Sequence, residues 1–109
     1  MEERKRVLLS AIFEADLHII FEHGYETFGL LAAEKYRLHL LSLAYKLEDF
    51  YLMYPECRWL STKGRIYRNI ILDSHLIIYR IKEKRIEVLR ALHSKSSISR
   101  IRAARTIKF

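Results

Sequence analysis

The 109 residues contain one cysteine, one proline and three glycines. A lone Cys57 excludes an internal disulfide, which fits a reducing cytoplasm, and it sits beside Arg58 with no evident base, so it reads as an incidental thiol. So few glycines leave no glycine-rich phosphate loop. No stretch approaches the ~20 uninterrupted apolar residues of a membrane span. Met1–Arg6 before Val7–Phe13 has the outline of a signal peptide, but Glu14 and Asp16 break the apolar run and no small-residue cleavage site follows. His18, His23, His39, His75 and His93 form no pair at metal-ligand spacing with a cysteine or carboxylate, so neither a metal nor another cofactor is expected.

Acidic residues are scarce only in the second half. Residues 1–56 hold 10 acidic and 6 basic side chains, a balance of −4; residues 57–109 hold 3 and 14, a balance of +11. An anionic partner for the second half follows, either nucleic acid or an acidic protein segment. Half of the residues are hydrophobic, and the length suits one domain over residues 1–109, with a basic tail at about 94–109. A domain of this size buries roughly 60–70% of its unfolded surface, enough for a core without staples.

Three apolar runs, Ile70–Leu72, Leu76–Ile81 and Ile86–Leu92, are separated by Asp73-Ser74 and Lys82-Glu83-Lys84, breaks short enough only for antiparallel hairpins. Upstream, residues 4–9 read as a strand and Ser10 as the N-cap of a helix from Ala11 to about His23, ended by Gly24. Its inner face is expected to carry Ile12, Ala15, Ile19 and Ile20. A second helix, about Thr27 to Met53, has Phe28, Leu31, Ala32, Leu38, Leu41 and Tyr45 at three- and four-residue steps. Pro55 and residues 56–64 form a crossing loop, and the tail from Ile98 reads as helix by its spacing or strand by its final residues. The order β-α-α-β-β-β gives an α+β fold: a helical hairpin packed on a small, mostly antiparallel sheet. Internal Arg68, Arg80 and Arg90 suggest that the sheet has one apolar face and one basic, functional face.

The stretch Ser74-His75-Leu-Ile-Ile-Tyr79-Arg80-Ile, then Ile86-Glu-Val-Leu-Arg90-Ala-Leu-His93, resembles the C-terminal half of ParE toxins in the RelE/ParE superfamily. Ala15-Asp16-Leu17 with Ile20, Phe28-Gly29, Ala33, Tyr36 and Pro55 extend the resemblance in order over roughly residues 6–95. It implies the same α+β architecture and a bacterial cytoplasmic toxin of a type II toxin–antitoxin pair that inhibits DNA gyrase. It also implies a cognate antitoxin whose disordered acidic segment folds across the toxin in a hetero-oligomer. The superfamily's other branch cleaves messenger RNA on the ribosome, which is the alternative.

Cleavage by a 2′-hydroxyl needs an acid, a base and cations for the charged phosphorane. His93 is the candidate acid or base, Arg68, Arg80 and Arg90 the phosphate-neutralising cations, and Tyr79 a proton donor or stacking ring. Strand alternation separates Arg80 from Tyr79, against one shared groove. Each residue also has a structural reading: a backbone-bonded His93, a core Tyr79, and an Arg68 paired with Asp73 or Glu87. For binding a target or antitoxin, the candidates are Arg68, Arg80, Arg90, His93, Lys95 and Arg100. ParE toxins follow the strand-end histidine with an Arg-Met-Asp type segment, whereas here Ser94-Lys95-Ser96-Ser97 follows, with Lys95 in place of the arginine.

Overall fold

The computed structural model describes residues 3–109. Strand β1 (Arg6–Leu9) leads into helix α1 (Ala11–Phe28), which turns at Gly29 into α2 (Leu30–Tyr45) and the short α3 (Leu47–Phe50). The chain returns through β2 (Tyr67–Ile71), β3 (His75–Ile81) and β4 (Arg85–His93), then closes with α4 (Ile98–Ala103) and a 3-10 turn at Ala104–Thr106. The sheet order is β1-β4-β3-β2, with β1 parallel to β4 and the other pairs antiparallel. The expected helical hairpin on a mostly antiparallel sheet is what forms, and the tail takes the helical of its two alternatives.

Ser10 starts α1 and ties it to the sheet. Its hydroxyl oxygen accepts from the Phe13 amide at 2.8 Å and donates to the Leu89 carbonyl at 2.7 Å. The helix does not stop at Gly24 as expected. An internal glycine costs a helix only about 1 kcal/mol, and a Cβ there would meet that of Ala33 at 3.5 Å, so small residues set a close approach of α1 to α2. Gly29 makes the turn instead, at φ 92°, a left-handed conformation that glycine adopts without a Cβ penalty.

The helix faces are rotated from their expected positions. In α1 the buried residues are Phe13, Asp16 and Leu17, with Ile20 half-buried, whereas Ile12, Ala15 and Ile19 are exposed. In α2 and α3, Ala33, Leu40, Ala44 and Leu47 are buried, and Leu41 partly so. Phe28, Leu31, Ala32, Leu38 and Tyr45 face solvent. Both helices carry two apolar stripes, and hydropathy spacing cannot say which meets the sheet.

A second correction concerns the sheet itself, which has no open basic face. On the hairpin side Phe13, Leu17, Leu40 and Leu47 pack with Ile77, Tyr79, Ile86 and Val88. On the other side Cys57 and Leu60 of the crossing loop and Ile101, Ala104 and Ile107 of the tail cover Tyr67, Ile78, Leu89 and Leu92. Burial on both faces explains why β3 and β4 are near-continuous apolar runs rather than alternating ones. The register slips between Ile78 and Tyr79, leaving Leu89 as the extra residue of a bulge in β4.

Removing a packed ring should therefore cost far more than trimming a solvent-facing leucine. Phe13→Ala, at 0% exposure, is expected to destabilise by about 3–5 kcal/mol. Leu31→Ala, at 87% exposure, should stay within about 0.5 kcal/mol in urea denaturation. Equal losses would return Leu31 to the inner face.

Candidate functional site

The arginines singled out by the sequence are held by the protein itself and are divided between the two sheet faces. Arg68 lies opposite Tyr79 in the β2–β3 register, and Arg80 opposite Tyr67. Arg68 contacts neither Asp73 nor Glu87; it donates to the carbonyls of Leu52 and Tyr54 at 3.1 Å each and of Arg65 at 3.2 Å, fastening the crossing loop to β2. Arg80 is buried on the tail side. Its Nε donates to Glu87 Oε1 at 2.7 Å, Nη1 to the Tyr67 hydroxyl at 3.3 Å and the Arg105 carbonyl at 3.4 Å, and Nη2 to the Ile107 carbonyl at 2.8 Å. Glu87 also pairs with Arg85.

Arg90 forms a two-pronged pair with Asp16 of α1, at 2.8 and 2.9 Å, and Asp16 Oδ2 also accepts from the Ala91 amide at 2.9 Å. That carboxylate thus continues the pairing along β4 where β1 has ended. Tyr79 is fully buried, its hydroxyl donating to the Tyr51 carbonyl at 2.7 Å and its ring edge-on to Tyr54. Burial raises its pKa well above the ordinary phenol value. The core reading of Tyr79 thus describes its bonding, whereas the carboxylate pairing expected of Arg68 is replaced by bonds to backbone carbonyls.

His93, Lys95 and Arg100 are different, because all three are exposed. His93 Nδ1 accepts from the Lys95 amide at 3.0 Å, and its ring stands edge-on to His75 at 5.7 Å between centroids. Arg100 projects from α4, whose first turn is capped by Ser97.

What the fold does assemble is a histidine-lined cleft of about 660 Å³ between the end of the hairpin and the sheet. His23 comes from α1, Tyr36 and His39 from α2, Asp73 from the β2–β3 turn, and His75 and His93 from paired positions on β3 and β4. Tyr36 Oη and His75 Nδ1 are 2.8 Å apart. Burial and then Asp73 raise the Tyr36 pKa, so its hydroxyl stays protonated. Burial first, then His93 and His23, hold the His75 imidazole below its ordinary range, which favours the neutral ring. Reasoning from spacing found His93 but not the rest of this group, whose members sit on two helices, two strands and a turn; the signal available was that Tyr36, His75 and His93 all belong to the quoted resemblance. Among the described residues no three histidine, cysteine or carboxylate side chains are placed to share a metal ion. Cys57 is buried, which pushes its thiol pKa up and fits the incidental reading.

With this geometry in hand, comparison with known proteins is informative. Residues 7–98 match the family model described as ParE toxin of type II toxin-antitoxin system, parDE. Among solved structures, one of the chromosomal ParDE TA system from P. aeruginosa is similar, with TM-score 0.70, 20% identity, and 84% of this chain and 98% of that chain covered. A second, the toxin-antitoxin complex RelBE2 from Mycobacterium tuberculosis, has TM-score 0.58 and 16% identity, with 83% and 98% covered. No curated protein sequence matches significantly.

The burial of His75 beside His93 and His23 fixes the sign of a pH effect. A histidine held neutral in the fold takes up its proton more readily when unfolded. Its stabilising contribution is therefore complete above the ordinary imidazole pKa of about 6.5 and is lost as pH falls below it. Thermal unfolding between pH 7.5 and 5.5 should show a steeper loss of midpoint for the native chain than for His75→Gln. Equal slopes would remove His75 as the cause.

Proposed function

The chain belongs to the family of ParE toxins of type II toxin–antitoxin systems, and on that premise we propose that it inhibits DNA gyrase by binding and is neutralised by a cognate antitoxin in the bacterial cytoplasm. The observation that carries the binding reading is the uncovered apolar surface of the helical hairpin. Leu31, Leu38 and Tyr45 recur at seven-residue steps along α2, and Ile12 and Ile19 do so along α1, all solvent-facing. Rows of large apolar side chains left in water mark a protein-contact surface. An antitoxin segment that folds on arrival gains the burial it needs to offset its ordering there.

Catalysis has less support. Cleaving RNA requires a cation beside the acid–base pair, and here Arg80 and Arg90 are occupied by Glu87 and Asp16, and Arg68 by backbone carbonyls. Contacts to target or antitoxin fall chiefly to His93, Lys95 and Arg100, the exposed members of the set. Ribosome-dependent cleavage of messenger RNA keeps one observation in its favour, the exposed His93 imidazole beside His75 at the cleft. Among the described residues no helix is long and apolar enough to cross a membrane.

Mixing the full chain with gyrase and DNA should accumulate cleaved complexes and stop supercoiling. Normal supercoiling at saturating protein would defeat this reading. New messenger RNA ends within translated codons, lost on His93→Ala, would move the assignment to the ribosome.

A further inference from the structure

After Glu87 the chain has no acidic residue, but it has Arg90, Lys95, Arg100, Arg102, Arg105 and Lys108. Arg90 is taken by Asp16; the last four lie on the tail. There Ile101, Ala104 and Ile107 recur every third residue and are buried against the sheet. That spacing turns Arg100, Arg102, Arg105 and Lys108 outward, and all four are exposed. Among the described residues none of the four has a carboxylate partner. Arg105 lies over the Tyr67 ring at 5.9 Å, a cation–π contact rather than an ion pair.

The neighbouring loop adds to this surface. Trp59 packs on the same cluster as the tail, and the exposed Arg58 guanidinium lies 4.7 Å over its ring. The family match ends at residue 98, so most of the tail cations lie outside the segment that the family shares. The tail is an amphipathic piece with its apolar side spent on the sheet and its cationic side presented to solvent.

We propose that this cationic outer face of the tail, Arg100, Arg102, Arg105 and Lys108, together with Arg58 on the loop that shares its apolar cluster, is a binding site for the phosphodiester backbone of a nucleic acid duplex. The chemistry separates this partner from an acidic protein segment. A flexible peptide must bury apolar surface to offset its ordering, and the tail, with Ile101 and Ile107 spent on the sheet, leaves just Ile98 and Phe109 part-exposed at its two ends. A duplex arrives already ordered with closely spaced charges, and releasing its condensed counterions needs only cations. Exposed cations on a packed support, free of internal carboxylates, suit that partner. The apolar stripes for a protein partner lie on the helical hairpin, across the sheet from the tail, so of these cations Arg100 alone is also a candidate contact for that partner. The site goes beyond the gyrase reading and does not depend on it.

The test is fluorescence anisotropy of the full chain with labelled duplex DNA, duplex RNA of equal length, and a polyglutamate peptide of matched charge, across a salt series. Gyrase and antitoxin are absent, so failure here is distinct from failure of the gyrase reading. With about four phosphates neutralised, log K against log salt should fall with a slope of about −3 to −4. Arg100→Gln, Arg102→Gln and Lys108→Gln together should flatten it by about 2–3 and weaken binding at least about tenfold near 0.1 M salt. The circular-dichroism melt should stay unchanged, because all three side chains are exposed. Binding of either duplex with that loss supports the site, the tighter one identifying its natural nucleic acid. No duplex binding, an unchanged slope in the folded triple variant, or polyglutamate binding as tightly as the duplexes would overturn it.

Discussion

A carboxylate with 1% of its surface exposed, Glu87, sits opposite Arg80 on adjacent strands, and much of the architecture on that side answers to this pair. Two charges withdrawn from water cost several kcal/mol each unless their hydrogen-bonding capacity is met. Arg85 supplies a second cation to Glu87, while Tyr67 and the backbone carbonyls of Arg105 and Ile107 complete the shell of Arg80. The tail therefore does more than shield Ile78 and Leu89. It provides the acceptors without which a guanidinium could not remain under it. Removing Glu87 would leave Arg80 as an uncompensated buried charge, a loss of roughly 3–5 kcal/mol by general experience with such pairs, whereas without Arg80 the carboxylate keeps Arg85.

The same economy distinguishes the arginines. Those inside strands serve as internal fasteners: Arg68 for the crossing loop, Arg80 for the tail and Arg90 for the first helix. The cations left for other molecules are those outside the sheet. Net charge alone gives no hint of this division, since +11 in the second half counts both kinds equally. The surface is correspondingly divided, with uncovered apolar stripes on the hairpin and bare cations on the tail. Between them the histidine cleft joins hairpin to sheet through a single short contact, Tyr36 to His75.

Much of the fold was legible in the chain because local signals agreed with the global arrangement. Ser10 caps as its type suggests, the three apolar runs are strands, and their breaks are tight turns. The helix faces were not legible. Ile12 and Ile19 form as good a stripe as Phe13 and Leu17, and only the sheet decides between them. Gly24 misled because a helix tolerates one glycine where a neighbour packs close, and Gly29, not Gly24, carries the left-handed turn. The site was least legible of all. The residues that meet in the cleft lie far apart in the chain, and whether an arginine is a fastener or a contact depends on which carboxylate or carbonyl the fold brings beside it.

The parallel pairing of β1 with β4 sets an order of events. Arg6–Leu9 hydrogen-bonds with Arg85–Val88, so the first strand has no partner until some 75 intervening residues, 10–84, have been made. At ribosomal speeds of about 5–20 residues per second, that is a wait of several seconds. During this time the hairpin helices stand without their sheet, and both of their apolar stripes are open to water. Long-range closure of this kind is slow and leaves the nascent chain exposed to unwanted association. The emerging polypeptide thus spends its earliest moments as a sticky helical pair, a substrate for chaperones before it is anything else.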